Sequence, residues 1–419
     1  MQISRRIFIK NSGIAMLGLS TLPAFLQRAV AGTGMPNKKK LVVLFQRGAA
    51  DGLNIVVPFG EPNYYKMRPS IAIPEPRRGG DQAAIDLDGF FGVHPSLSPL
   101  AQLFHNGQLA IVHAAGSPDT TRSHFDAQDY MESGTPGVKS TDDGWLNRTM
   151  QGMPEENATP FRAVAVGPNL PRTLLGLAPA IAMPDVKQFQ VMAGAGSQMI
   201  QGGFEAMYAQ TVDTALRGTG TETFEAIDML KKANPSQFQP ENGADYPKNR
   251  YGQSIQQVAQ LLKANIGMEV AFLDTGGWDN HVNEGGVQGQ LSNLLRDLGQ
   301  GLGAFYKDMG DRMEDIVVVT MSEFGRTAHE NGNRGTDHGH ANCMFLMGGP
   351  VKGGKVYGKW PGLSDQHLYE GRDLAVTTDF RSVLGEVLTG HLGTTNLNAV
   401  FPGFDNDMRK FPRLLKASA

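Results

Sequence analysis

A single cysteine, Cys343, occurs in 419 residues. No disulfide can form within the chain, so stability must come from a packed core or from bound ions. The same scarcity excludes a structural zinc of the thiolate type. Cys343 lies in the apolar run Cys343-Met344-Phe345-Leu346-Met347 and reads as a buried, inert thiol. An excess of one charge is also missing, with 38 Lys and Arg against 41 Asp and Glu. That balance argues against a nucleic-acid binder, which needs a basic stripe. No apolar run reaches the roughly 18 residues that span a bilayer. Nor is there a dinucleotide fingerprint, because Gly48-Ala49-Ala50-Asp51-Gly52 lacks the G-x-G-x-x-G spacing. What remains is ordinary globular composition, 40% hydrophobic.

The first residues carry the most specific local signal. Ser4-Arg5-Arg6-Ile7-Phe8-Ile9-Lys10 places two arginines before an apolar pair, a mildly apolar stretch follows from Gly13 to Leu22, and Ala29-Val30-Ala31 has the small-x-small form of a cleavage site. We therefore expect residues 1–31 to be a twin-arginine signal peptide, handed to the Tat translocase. The mature chain, 32–419, is expected to be one periplasmic or otherwise exported domain that does not span the membrane.

Six short apolar runs read as buried strands: Leu41–Phe45, Leu109–His113, Ala163–Val166, Val270–Leu273, Ile316–Val319 and Cys343–Met347. Helical patterns lie between several of them, at Pro95–Phe104, in the stretch closing at Leu261–Ile266, and at Leu291–Met309. Strands alternating with helices predict an α/β fold around a mainly parallel sheet. Residues 184–251, rich in Gln, Met, Gly and Asn, read as a mostly helical insertion or cap. His94, His105 and His113 read as surface or core histidines.

Ligands of open α/β sheets bind beyond the carboxyl ends of the strands, and polar residues follow the apolar runs four times. Asp51 comes after the first run. After the second comes Arg122-Ser123-His124-Phe125-Asp126, in which Ser123 is placed as a helix N-cap, with Asp126 in the capping-box position. A hydroxyl at a helix N-terminus beside Arg122 also sits where unpaired N–H groups attract an anion. Asp274-Thr275-Gly276-Gly277-Trp278-Asp279-Asn280-His281 follows the fourth run, and Glu323 and Arg326, a possible ligand and a possible anion clamp, follow the fifth. Asp337-His338-Gly339-His340 precedes its strand and must fold back to join them. Carboxylates and neutral imidazoles are ligands for Zn²⁺, or for Mn²⁺ where oxygen predominates.

The strings RGAADGLN, TRSHFDAQDYMESG, DDGWLNR, DTGGWDNH, MSEFGRT, GTDHGHAN and RDLAVTTDFRSVL resemble the exported bacterial proteins grouped as domain of unknown function 1501, over nearly the whole chain. A more distant resemblance is to the alkaline phosphatase and sulfatase superfamily. It implies a three-layer α/β/α sandwich, one or two divalent ions, and a metal-dependent hydrolase of phosphate or sulfate esters. Ser123 takes the nucleophile place with Arg122 beside it, Asp51 the first-strand metal place, and Asp279 (or Asp274) with His281 the Asp…His pair. By strand order Glu323-Phe324 stands where the superfamily has Asp-His, and His338 or His340 would be its last metal histidine, with Asp337 able to fill the gap that Phe324 leaves. The substrate implied is a small anionic ester or a glycan. The missing sulfatase Cys-x-Pro-x-Arg motif and Phe324 keep open a second reading, a catalytically silent periplasmic binding or interaction module on the same fold.

Overall fold

A run such as Val42-Val43-Leu44 has no polar side to turn toward water, so its strand must be covered on both faces. The computed structural model describes residues 39–76, 80–153, 159, 161–186, 229–230 and 232–417. In it the run belongs to β1 (Lys40–Gln46), buried from Leu41 onward. The other strands are β2 (Val56–Val57), β3 (Ile85–Asp86), β4 (Gly92–Val93), β5 (Leu109–Gly116), β6 (Ala163–Ala165) and β7 (Ile181–Ala182). After them come β8 (Val270–Thr275), β9 (Ile316–Met321), β10 (Asn342–Met347), β11 (Lys355–Tyr357) and β12 (Thr378–Asp379). The principal sheet runs β11-β5-β10-β9-β1-β8-β6-β7, with β12 beside β5, while β2, β4 and β3 form a small antiparallel sheet. All six expected strands are present.

Helices cover both faces of the principal sheet. Val42 and Leu44 pack with α1 (Ser98–His105), α4 (Arg250–Lys263) and α5 (Gln290–Met309). Leu41, Val43 and Phe45 face the other way, onto α3 (Trp145–Gln151) and α6 (Phe380–Gly390). The alternation of one strand between two cores is what a three-layer α/β/α arrangement requires. Among the described residues no helix is long and apolar enough to cross a membrane.

One strand departs from the parallel pattern, and the departure builds the site. β1, β5, β6, β8 and β9 all run the same way, whereas β10 is antiparallel to both neighbours, β5 and β9. The carboxyl ends of β1, β5, β8 and β9 therefore share an edge with the amino end of β10. Residues that precede β10 reach the same place as residues that follow the others.

The expected signal peptide, 1–31, and residues 187–228 and 231 of the expected insertion lie outside the described residues. The described stretch around 238–246 is held at the opposite edge of the sheet. Gln260 and Lys263 donate to the Phe238 and Gln239 carbonyls, and the Tyr246 hydroxyl donates to Asp308, near the C-terminal ends of α4 and α5.

Candidate metal and active site

Five loops meet at the shared edge, and glycines let them touch. Gly48, at φ +117°, lies so close to the next loop that a Cβ there would stand 2.7 Å from the Asp279 nitrogen. Cβ atoms on Gly335 and Gly339 would come within 2.4 Å of the His281 backbone and 2.3 Å of the Arg326 backbone. The loop before β10 thus lies flat on its neighbours, and Arg326 and His338 form a single antiparallel bridge.

Arg326 ties the loops together. Its guanidinium is buried and donates to the carbonyls of Ala49, Gly48, Trp278 and Thr336, and to Asp279 Oδ1 at 2.5 Å. The anion clamp expected there is a scaffold that reaches the site through one nitrogen edge.

Three imidazoles and one carboxylate converge above it. His281 Nε2 is 2.9 Å and His338 Nε2 3.2 Å from Asp279 Oδ1, the two Nε2 atoms are 3.0 Å apart, and His124 Nε2 is 3.3 Å from Asp279 Oδ2. His124, Asp279 and His338 each offer an atom within 4.8 Å of the other two. The rings of His124 and His338 rest on Phe324, each with its centroid 5.1 Å away. Phe324, which cannot ligate, serves as their platform.

The outward-facing nitrogens fix the tautomers. His124 Nδ1 meets Glu323 Oε1 at 2.8 Å, His338 Nδ1 meets the Arg122 carbonyl at 2.8 Å, and His281 Nδ1 meets Asp337 Oδ1 at 3.1 Å. Ionised carboxylates and a carbonyl can only accept, so each Nδ1 carries a proton, and a neutral ring would turn its Nε2 lone pair inward. His124 Nε2 is buried and finds no hydrogen-bond partner, being misaligned on Asp279. Four groups able to accept thus face one another, with Arg326 donating to Asp279 Oδ1.

The electrostatics follow the same contacts. The hydrogen bond that His124 donates to Glu323 raises the His124 pKa against its burial, while burial lowers that of His338. Burial would raise Asp279, but Arg326 and the neighbouring histidines hold it below the usual carboxylate range.

Several expected site residues stand elsewhere. Asp51 is buried with both oxygens on the Arg68 guanidinium (the Nη2 contact is 2.9 Å), so it has no free oxygen to offer the cluster. Glu323 is fully enclosed. Its Oε1 accepts from Gly48 N–H, His124 and Gln128, and its Oε2 from Ser322, so it orients a ligand instead of being one. Asp337 touches the cluster only through His281 and Asn331. His340 points away, with Nε2 on the Ser117 carbonyl at 3.1 Å and its ring against Tyr369. Asp274 pairs with Arg47 at 2.6 Å.

Ser123 is the N-cap of α2 (His124–Ser133), its hydroxyl accepting from Asp126 N–H at 3.4 Å. The Arg122 guanidinium is engaged by Asp373 and Glu370, and it is the Arg122 carbonyl that serves the cluster. His124 is the residue that sequence reasoning passed over. It stands next to Ser123 after an expected strand, the same positional signal that selected its neighbour.

The model of the family described as "Protein of unknown function (DUF1501)" matches residues 38–400. No curated protein matches the chain. Among solved structures, similarity extends to a lipoteichoic acid synthase from Listeria monocytogenes, with 10% identity, TM-score 0.31, and coverage of 79% of this chain and 69% of that one. A protein in the alkaline phosphatase superfamily from Vibrio parahaemolyticus shows 12% identity and TM-score 0.33, with coverage of 75% of this chain but only 61% of the other. A sulfatase from Pseudoalteromonas sp. shows 12% identity and TM-score 0.38, covering 94% of this chain and 76% of that one.

Proposed function

Because the chain belongs to the DUF1501 family, whose description names no reaction, we propose its function from the site: a metal-dependent hydrolase of phosphate or sulfate esters. One observation carries this reading. The Nε2 atoms of His124, His281 and His338 and the Asp279 carboxylate converge, with outer contacts that put a proton on each Nδ1 and leave Nε2 to ligate when the ring is neutral. Acceptors this close repel unless a cation joins them. His124, His338 and Asp279 suit Zn²⁺ or Mn²⁺ with a coordination position left open, and Glu323 and the Arg122 carbonyl are the outer partners such ligands require.

When bound, a divalent cation supplies Lewis-acid polarisation of the ester oxygens and lowers the pKa of an attacking hydroxyl. Ser123, next to His124, is the nucleophile we assign. Its oxygen bonds to phosphorus or sulfur as the alcohol leaves, and water then breaks that bond, so that ester and water give alcohol and inorganic anion. The Arg326 edge that reaches Asp279 keeps positive charge beside the oxygens that gain negative charge. The signal-like residues 1–31 are consistent with export by the twin-arginine route.

One contact favours the alternative, a silent binding module: Arg326 already satisfies Asp279 Oδ1 at 2.5 Å. Metal content of protein folded in its own cytoplasm, with turnover of aryl phosphate, phosphodiester and aryl sulfate, decides between the two. Stoichiometric metal, lost in His338→Ala, with chelator-sensitive turnover of any ester supports the hydrolase. Metal-free protein inert to all three esters supports the module. Metal with turnover that survives Ser123→Ala retains the hydrolase and removes the serine.

A further inference from the structure

Asp274 is the carboxylate after β8 that the cluster leaves out, and it lines a cavity of about 270 Å³ together with Arg47, Arg250, Asn169, Leu170 and Phe272. The cavity opens at the same edge of the sheet, since Arg47, Asp274 and Asn169 lie just beyond or at the ends of β1, β8 and β6. It is joined to the proposed reaction centre by continuous hydrogen bonds. Arg47 donates to Gln128 at 2.9 Å, Gln128 to Glu323 at 2.9 Å, and Glu323 meets His124 at 2.8 Å. The residue after Arg47 is Gly48, which abuts the Asp279 backbone. Cavity and cluster thus share one edge of the sheet and are linked through Gln128 and Glu323.

The lining offers both donors and acceptors with little net charge. Arg47 is balanced by Glu132 at 2.8 Å and by Asp274 Oδ2 at 2.6 Å, which leaves Asp274 Oδ1 as an acceptor. Arg250 is exposed and has no side-chain partner among the described residues, so all its N–H groups are available. It stands at the first position of α4, where a cation gains nothing from the helix dipole. Asn169 adds one donor and one acceptor, and Leu170 and Phe272 add apolar wall. A bare anion would meet Asp274, and a plain hydrocarbon would leave Arg250 and Asp274 Oδ1 without partners. A carboxylate oxygen and a guanidinium lining one cavity match the hydroxyl groups of one ligand, with C–H surface against the apolar wall.

We propose that this cavity receives the alcohol part of the ester, and that the alcohol is a sugar-like polyol, with Arg250 and Asp274 as the residues that select it. The proposal rests on the ester-hydrolase reading, but its test uses the alcohol alone. Methyl glucoside, methyl galactoside and cyclohexanol, the last a ring of similar size with one hydroxyl, are titrated into full-length mature protein by ligand-observed NMR. We expect a glycoside to bind saturably and at least about tenfold more tightly than cyclohexanol. Arg250→Gln and Asp274→Asn should each weaken it about threefold to tenfold, in the range of single charge-assisted hydrogen bonds. Arg296→Gln, an exposed arginine on α5 outside the cavity, should not. Equal binding of cyclohexanol, absence of saturable glycoside binding, or indifference to both cavity substitutions overturns the proposal. Glycoside binding without turnover of the corresponding sugar phosphate or sulfate by metal-loaded protein overturns only the hydrolase reading.

Discussion

Two charged clusters lie under the same loops and close in opposite ways. In the first, Asp51, Arg68 and Glu284 are all buried; Arg68 holds both Asp51 oxygens and also donates to the Thr327 and Ala328 carbonyls. Glu284 accepts from the Thr336 hydroxyl at 2.7 Å, and burial together with the charge of Asp51 raises its pKa well above the usual carboxylate value. One guanidinium serves one carboxylate, and the second carboxyl is shifted toward its neutral form. The second, formed by His124, Asp279, His281 and His338, is partly exposed and rich in acceptors. The residue types overlap; the balance of protons and acceptors separates a structural clamp from the cluster proposed to hold a cation.

The strongest test of that contrast is to neutralise one carboxylate in each cluster. Asp51→Asn leaves Arg68 buried without its counter-charge and should cost about 3–5 kcal/mol of stability in denaturant unfolding. Asp279→Asn should cost the metal-free protein less than about 1 kcal/mol, since Asp279 is half exposed and Arg326 keeps four carbonyl acceptors. Similar losses in the two variants would erase the distinction.

Histidines divide along the same line. His94, His113 and His391 are buried, each with a backbone carbonyl on its Nε2, and burial lowers each pKa from 6.5 to about 4. The unfolded chain protonates below pH 6.5 while the folded chain resists to about pH 4. Stability should therefore fall as pH drops through that window, by up to about 3 kcal/mol per histidine. Replacing His391 by Gln should flatten the unfolding free energy against pH, and an unchanged slope would refute this assignment.

The open cluster should respond to metal where the closed one does not. Zn²⁺ or Mn²⁺ at a hundred times its dissociation constant should stabilise the protein by about 2.7 kcal/mol. The gain should vanish in His124→Ala and His338→Ala and survive in Ser123→Ala. A thermal shift that persists in both histidine variants would place the ion elsewhere.

Much of this was legible in sequence because it depends on local pattern. The six apolar runs are strands, since unbroken branched residues leave no face for water, and Asp279, His281 and His338 converge because each flanks a strand end at one edge. The reversal of β10 was the harder part. A four-residue string cannot show strand direction, yet that direction is what brings His338 back to the edge and turns His340 toward Ser117. Pairing between distant side chains was also hidden. Nothing local to Asp51 announces Arg68, and nothing local to Glu323 shows that its four hydrogen bonds make it the orienter of His124. Position after a strand identified the loops; which side chain of a loop turned inward depended on neighbours far along the chain.

The smallest expected effect probes the second carboxyl of the closed cluster. Glu284 Oε2 accepts from the Thr336 hydroxyl, just before Asp337 and His338. Gln at this position keeps the shape and cannot ionise. In the parent, the unfolded chain releases the Glu284 proton near its ordinary pKa while the folded chain retains it, so this residue costs stability increasingly as pH rises above 4.5. Glu284→Gln should thus match the parent in unfolding experiments near pH 4.5 and become the more stable of the two toward pH 8, with its metal affinity unchanged. A variant that loses stability at pH 8 would mean that Glu284 is ionised in the folded protein, and that the closed cluster carries a second negative charge beside the Asp51–Arg68 pair.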